Sequence, residues 1–203
     1  MKKFSFAQVN FQQGPEEFNS FYLPYTAGIV ACYALSDIAV STRWQLDHLL
    51  YKREPIDQVV EKLKDQDCVA LSTYVWNREW NYALGKALKQ ANPDITIVVG
   101  GPEPAVTDDK IFENYPWIDI VVVMEGEYVF HQLLKQDFED LESIAGILIN
   151  RNGTAVKTAD SGRINDLEHL PSPYLNGMFD KLIADNPGHS WIATLETTRG
   201  CPY

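Results

Sequence analysis

Residues 68–102 read CVALSTYVWNREWNYALGKALKQANPDITIVVGGP, and this stretch decides the fold. Its first six residues, 68–73, form a short apolar run that is typical of a strand buried on both faces of a sheet. Apolar residues then recur at helical spacing over 77–90, until the Asn-Pro pair at 92–93 ends the helix. A second apolar run at 95–99 ends in a diglycine. The order strand, helix, strand predicts two parallel strands joined by a right-handed crossover.

The same alternation continues on both sides of this unit. Strands are predicted at residues 4–11, 38–42, 68–73, 95–99 and 118–123, and helices at about 26–36, 55–63, 77–90, 107–112 and 128–135. Strands that alternate with helices in this way indicate a parallel sheet covered on both faces. We therefore predict an α/β fold: a flavodoxin-like (Rossmann-like), doubly wound sheet of five parallel strands in the order 2-1-3-4-5.

The pattern changes after residue 136. Apolar residues at 147–149 and 155–156 flank the dipeptide Asn152-Gly153, which favours a tight hairpin turn. A last strand is predicted at 191–196, and it has no partner of its own in the sequence. Three regions result: an α/β domain at 1–138, a β-hairpin at 139–165, and a linker with one strand at 166–203. We expect the segment from about Asp185 to be mobile or held by a neighbouring chain, and the unpaired strand offers an edge for a dimer.

Composition and charge argue against several classes of protein, including nucleic-acid-binding and membrane-spanning proteins. The chain has 203 residues, and its formal net charge of −11 argues against nucleic acid, because a nucleic-acid surface needs clustered Lys and Arg. No window approaches the roughly 18 apolar residues that a membrane span requires. Cys32, Cys68 and Cys201 are too few and too scattered for a disulfide framework. These features predict a cytoplasmic protein with no membrane contact.

The candidate site lies where the predicted strands end. Open parallel sheets bind ligands beyond the carboxyl ends of their strands. There the sequence places the hydroxyls of Ser72 and Thr73, the diglycine at 100–101 and the carboxylate of Glu125. In the simpler interpretation the small residues only form turns, and Glu125 with Glu127 stabilises the positive end of a helix dipole. No G-x-G-x-x-G fingerprint, Walker lysine motif or zinc-type histidine spacing occurs.

Five short motifs span nearly the whole chain. They are Leu23-Pro24-Tyr25, Leu71-Ser72-Thr73, Val98-Val99-Gly100-Gly101-Pro102, Glu125-Gly126-Glu127 and Glu196-Thr197-Thr198-Arg199-Gly200-Cys201-Pro202-Tyr203. In order and spacing they resemble the N-terminal cobalamin (B12)-binding domain of B12-dependent radical S-adenosylmethionine (SAM) enzymes. The last motif is the most specific of the five.

The resemblance implies an iron–sulfur cluster in a longer parent protein. In that family the last motif begins a C-x-x-x-C-x-x-C sequence whose three thiolates hold a [4Fe–4S] cluster, and the free iron binds SAM. Only Cys201 is present here as a metal ligand, and one thiolate cannot hold such a cluster. We therefore expect a chain cut just inside its radical SAM domain, with 191–196 as the first strand of the barrel. The cluster and SAM then belong to the full-length parent.

The resemblance also implies a corrinoid site. The corrin would lie over the carboxyl edge of the sheet, with its nucleotide tail near Ser72, Thr73, Gly100 and Gly101. By the same comparison, the remaining contact residues are Leu23, Tyr25, Tyr74, Trp76, Pro102, Glu125 and Gly126. The D-x-H-x-x-G motif, whose histidine binds cobalt in many B12-binding domains, is absent from the sequence. Cobalamin would then bind without a histidine ligand from the protein.

Three functions fit these observations. The leading hypothesis is a cobalamin-binding module of a radical SAM enzyme of the methyltransferase type, which is not catalytic as this fragment. The alternative is a degenerate docking or structural domain that keeps the fold and binds no corrinoid; the missing D-x-H-x-x-G motif favours it. A flavodoxin-like binder of another cofactor is weaker, because Gln12-Gln13-Gly14-Pro15 makes a poor phosphate loop after the first strand.

Overall fold

The computed structural model describes residues 1–11, 19–104 and 110–199. Within these ranges the strands are β1 (Lys2–Ala7), β2 (Ser20–Tyr22), β3 (Trp44–Leu50), β4 (Cys68–Ser72), β5 (Thr96–Gly100), β6 (Ile120–Val122), β7 (Ile147–Arg151), β8 (Thr154–Lys157) and β9 (Ser190–Ile192). The α-helices are α1 (Tyr25–Leu35), α2 (Ile38–Ser41), α3 (Ile56–Leu63), α4 (Arg78–Ala91), α5 (Ile111–Asn114), α6 (Gly126–Lys135) and α7 (Asp180–Ala184). No helix in the described ranges is long and apolar enough to cross a bilayer.

The central sheet follows the predicted topology. In the described part of the chain its order is β3-β1-β4-β5-β6-β7-β8, and the first five strands are parallel. Those five reproduce the order 2-1-3-4-5. The sheet has seven strands instead of five because the β7–β8 hairpin adds to β6 in antiparallel register. Its turn contains Asn152 and Gly153, both with positive φ, as a tight hairpin requires.

Side chains of the central strands alternate between two apolar cores. In β4, Ala70 faces the core formed with α1 and α6, whereas Val69 and Leu71 face the core formed with α3 and α4. In β5, Val98 belongs to the first core and Val99 to the second. Both faces are therefore covered, which explains the continuous apolar runs that the sequence shows at these strands.

The second strand lies later in the chain than predicted. Residues 38–42 do not form a strand: Ile38–Ser41 is a helical turn, and the Asp37 carboxylate caps it by accepting a hydrogen bond from the Ala39 amide at 2.9 Å. The strand is Trp44–Leu50, which pairs with β1 at the edge of the sheet. Its mostly half-buried side chains give a weaker apolar pattern than a central strand.

The terminal strand, predicted at 191–196 and without a partner, is shorter than expected and is paired. Residues Ser190–Ile192 pair in parallel with Ser20–Tyr22 of the same chain, so that Trp191 lies opposite Phe21. The Leu23 amide extends this ladder by donating to the Ile192 carbonyl at 3.0 Å. The segment is thus packed within its own chain, and the reason given above for a dimer through this strand no longer holds.

Candidate functional site

A cleft of about 890 Å³ opens at the carboxyl edge of the sheet. It lies between the ends of the parallel strands on one side and helices α1 and α6 on the other. The strand order reverses between β1 and β4, and both strands contribute residues to the cleft. Its inner wall is apolar and consists of Phe6, Ala70, Val98, Val122, Val30 and Phe130. Polar groups line the mouth. This position is the one that open parallel sheets use for ligands.

Most residues that the sequence nominates lie together around this cleft. Tyr25, Ser72, Tyr74, Gly100, Gly101, Pro102, Glu125 and Gly126 all line it. Three others do not. Leu23 is buried beside the β2–β9 ladder, Thr73 is fully buried behind the cleft wall, and Trp76 stacks on the outer side of Tyr74 with ring centroids 4.6 Å apart. Cys201 lies outside the described residues.

Ser72 lines the cleft and carries a buried hydroxyl. Its side chain lies on the same sheet face as that of Ala70, which lines the inner wall. Only 7% of the surface of Ser72 is exposed. Among the described residues, nothing forms a hydrogen bond with its Oγ atom. Buried hydroxyls are nearly always paired, so this atom marks a place where a bound molecule can complete the structure.

The diglycine gives the cleft its open wall. Gly101 has φ of +100°, and a Cβ added there would lie 2.4 Å from the Thr73 carbonyl oxygen. Gly100 ends β5. A Cβ added at Gly100 would lie 3.6 Å from the Val122 Cβ, which is an ordinary van der Waals contact. The first glycine therefore leaves room in the cleft, whereas the second is required by the backbone.

Two buried asparagines hold the loop after β4. The Asn77 amide donates to the carbonyls of Val9 and Ser72, both at 3.0 Å, and its oxygen accepts from the Tyr74 amide at 2.7 Å. Asn81 donates to the Ser72 carbonyl and to the Thr73 hydroxyl, both at 3.1 Å. Neither asparagine was predicted from the sequence as part of the site. The sequence pattern that could have indicated them is two polar residues, four positions apart, at the start of the apolar face of the predicted helix.

Two carboxylates at the start of α6 give the cleft negative charge. Glu125 precedes the helix and Glu127 lies in its first turn, as the dipole interpretation expects. Glu125 also accepts a hydrogen bond from the Ile164 amide at 2.6 Å. The Glu127 side chain is only 4% exposed and pairs with the Arg199 guanidinium. This ion pair connects residues 72 positions apart, and the sequence alone gives no sign of it.

Two tyrosines line the cleft near α1. The hydroxyl of Tyr74 lies 3.1 Å from the Thr26 hydroxyl, and the ring of Tyr25 stacks on Tyr174. Burial raises the pKa of Tyr25, and the nearby charge of Glu196 raises it further. Tyr25 is therefore a neutral hydrogen-bond donor at ordinary pH. In the described ranges no histidine lines the cleft, and no cluster of His, Cys, Asp and Glu could hold a metal ion.

The sequence matches a known protein family over the part of the chain that forms the sheet. A family model described as "B12 binding domain" matches residues 30–134, just over half of the chain. The chain belongs to the B12-binding domain family. The matched range contains β3 to β6 and most of α1 and α6, which together form most of the cleft.

The relatives of this B12-binding domain are much longer proteins. It is 31% identical over 187 residues to the cobalamin-dependent radical SAM methyltransferase TokK of Streptomyces tokunonensis, covering 90% of this chain and 28% of that protein. It is 29% identical, with the same coverage, to the 2-(S-pantetheinyl)-carbapenam-3-carboxylate methyltransferase of Streptantibioticus cattleyicolor. The chain thus spans less than a third of the length of these relatives.

A solved structure shares the fold. The radical SAM methyltransferase TsrM from Kitasatospora setae, determined with cobalamin and a [4Fe–4S] cluster bound, superimposes with a TM-score of 0.58. The match covers 85% of this chain and 31% of TsrM, at 15% sequence identity. At that identity the match speaks for the architecture of the B12-binding domain alone.

Proposed function

We propose that this chain is the cobalamin-binding module of a radical SAM methyltransferase and that the cleft at the carboxyl edge of its sheet is the corrinoid site. The observation that carries the proposal is the cleft itself. It combines an apolar inner wall, a glycine wall and the unpaired buried hydroxyl of Ser72 in a member of the B12-binding domain family. A large, mostly apolar cofactor with a few polar attachment points fits such a cleft.

The described residues divide the work of binding. The apolar inner wall would receive the part of the cofactor that enters between the sheet and helices α1 and α6. Ser72 would donate or accept a hydrogen bond, and the backbone at 100–101 would lie against the cofactor with no side chain between them. Tyr25 and Tyr74 would contact it at the mouth. When bound, cobalamin supplies a cobalt centre that accepts and passes on a methyl group.

The remaining parts of the enzyme are proposed from the relatives. Both curated relatives are methyltransferases, and TokK is described as a cobalamin-dependent radical SAM enzyme. We assign residues 1–138 to cobalamin binding, 139–165 to the hairpin, and 166–203 to a linker that leads into the radical SAM domain. In that assignment Cys201 is the first ligand of a [4Fe–4S] cluster. A cytoplasmic location is part of the proposal, and it agrees with the free, buried thiols of Cys32 and Cys68.

Corrinoid retention tests the proposal. The protein is incubated separately with hydroxocobalamin and with flavin mononucleotide, passed over a gel-filtration column, and examined by visible absorption. We expect corrinoid bands to elute with the protein and flavin bands to be absent. Elution without corrinoid would contradict the proposal and favour a docking domain that binds none. That alternative draws its support from the absence of histidine among the described residues that line the cleft.

A further inference from the structure

The C-terminal residues cross the mouth of the cleft. We call residues 194–199 the strap. All six line the same cleft as Ser72 and Gly100, although their outer side is open to solvent and Leu195 is 76% exposed. An exposed segment of this kind has few apolar contacts of its own, so its position depends on specific attachments.

The first attachment is at Thr194. The Tyr174 hydroxyl donates to the Thr194 carbonyl at 2.6 Å and accepts from the Thr194 amide at 3.0 Å. The ring of Tyr174 in turn stacks on Tyr25, which lines the cleft. One end of the strap is thereby fixed to α1.

The second attachment is at Arg199. Its guanidinium pairs with Glu127, lies 2.9 Å from a carboxylate oxygen of Glu196, and lies 3.6 Å from one of Glu125. The Arg199 side chain is 14% exposed, and it is the most deeply buried residue of an otherwise exposed strap. The other end of the strap is thereby fixed to the start of α6.

The charges around Arg199 keep this end of the strap in place. Three carboxylates surround one guanidinium, which forms hydrogen bonds to Glu127 and Glu196, and a guanidinium is always charged in proteins. Arg199 therefore stays charged, and moving it away would leave the buried Glu127 carboxylate without its cation. Separating a buried pair in this way is strongly unfavourable.

We propose that Arg199 is a positioning residue that holds the strap as a wall of the cobalamin cleft, so that strap closure and corrinoid binding stabilise each other. The inference rests on the proposed function, because the cleft must take a corrinoid for the coupling to exist. A molecule in the cleft contacts a strap that is already in place, and binding then restricts the strap further. Thermodynamic linkage requires the two effects to be equal in size. The same contact fixes the chain two residues before Cys201.

The test uses hydroxocobalamin and the variants Arg199→Gln, Glu127→Gln and Tyr174→Phe. Arg199→Gln and Glu127→Gln each remove one charge of the pair, and Tyr174→Phe releases the other end of the strap without touching the ion pair. Arg151→Gln is the matched control, since the Arg151 guanidinium lies on the hairpin surface, 3.5 Å from Glu142, and Arg151 does not line the cleft. Dissociation constants come from visible titration, and strap mobility comes from hydrogen–deuterium exchange of residues 190–199 with and without the corrinoid.

We expect Arg199→Gln, Glu127→Gln and Tyr174→Phe to weaken corrinoid binding by about five- to tenfold, whereas Arg151→Gln binds like the wild type. Corrinoid should slow exchange in the wild-type strap by a similar factor and have less effect in Arg199→Gln. Unchanged affinity in the variants, with a strap that exchanges equally fast with and without corrinoid, would overturn the coupling while the proposed function stands. A wild-type protein that binds no corrinoid would overturn both.

Discussion

Gly100 and Gly101 are neighbours with different requirements. A side chain at Gly101 would have to adopt a φ of +100° and would meet the Thr73 carbonyl at 2.4 Å, whereas one at Gly100 would make an ordinary contact with Val122. We expect Gly101→Ala to lower the free energy of unfolding by at least about 2 kcal/mol, because strain and a backbone clash combine. Gly100→Ala should change it by less than about 1 kcal/mol. Urea denaturation of the two variants checks this, and equal effects would contradict the assignment.

Ser72 and Thr73 also differ, although the sequence places them side by side. The Ser72 hydroxyl is buried and unpaired, so Ser72→Ala should leave the unfolding free energy unchanged or raise it by up to about 1 kcal/mol. The Thr73 hydroxyl donates to the Leu71 carbonyl and accepts from Asn81, so Thr73→Val should cost about 1–2 kcal/mol.

Corrinoid titration of the same two variants separates binding from stability. Ser72→Ala should bind hydroxocobalamin several-fold more weakly, since the variant lacks the hydroxyl that is proposed to form a hydrogen bond to the corrinoid. A Ser72→Ala protein that is clearly destabilised and binds normally would show that the hydroxyl serves the fold and not the ligand.

The β2–β9 ladder depends on an aromatic cluster that contains a histidine. His189 stacks on Phe21 with centroids 4.6 Å apart, and its Nε2 lies 2.8 Å from the Tyr51 hydroxyl. Burial lowers the pKa of His189 from its ordinary 6.5, and the Lys52 ammonium lowers it further. The folded state therefore binds the proton less well than the unfolded state. Its contribution to stability is complete above pH 6.5 and is lost as the pH falls toward the lower, folded-state pKa.

We expect the terminal strand to loosen below about pH 6.5. The change in Trp191 fluorescence between pH 7.5 and pH 5 measures it, with Trp191→Phe as the background to subtract. His189→Gln should remove most of the pH dependence, and His169→Gln should not, because the His169 side chain is 81% exposed. An unchanged transition in His189→Gln would show that another group is responsible.

Local patterns predicted the elements whose stability is local or whose burial is complete. The helix α4 and the strands β4 and β5 follow from apolar periodicity, and the β7–β8 turn follows from Asn152-Gly153. The second strand was misplaced because the Asp37 cap turns an apolar stretch into a helix, while the true edge strand carries polar Asp47 and His48. Periodicity cannot distinguish these cases when burial is partial.

Long-range pairings could not be predicted. Phe21 and Trp191 meet across 170 residues of sequence, and Arg199 meets Glu127 across 72. Nothing in either local segment specifies the partner. The cleft was predicted in outline because strand ends share one edge of the sheet, but the strap at its mouth is held by a distant contact, the Arg199–Glu127 pair.

The acidic balance of the chain is that of a B12-binding domain. The net charge of −11 belongs to a chain that spans 28% of the length of its two curated methyltransferase relatives. What this chain carries by itself is a B12-binding fold with a cleft at the switch point of its sheet. Binding of a corrinoid in that cleft is therefore the property on which the other proposals depend.

A titration with hydroxocobalamin measures that property directly, with the wild type compared to Gly100→Leu. Gly100 shares a sheet face with Val98, so the leucine side chain would extend into the cleft without backbone strain. Gly188→Leu is the control, because Gly188 has open space around it and does not line the cleft. We predict one corrinoid per chain for the wild type and Gly188→Leu, and affinity at least about tenfold lower for Gly100→Leu. Equal affinity in all three proteins, or no binding by the wild type, would contradict a corrinoid site in this cleft.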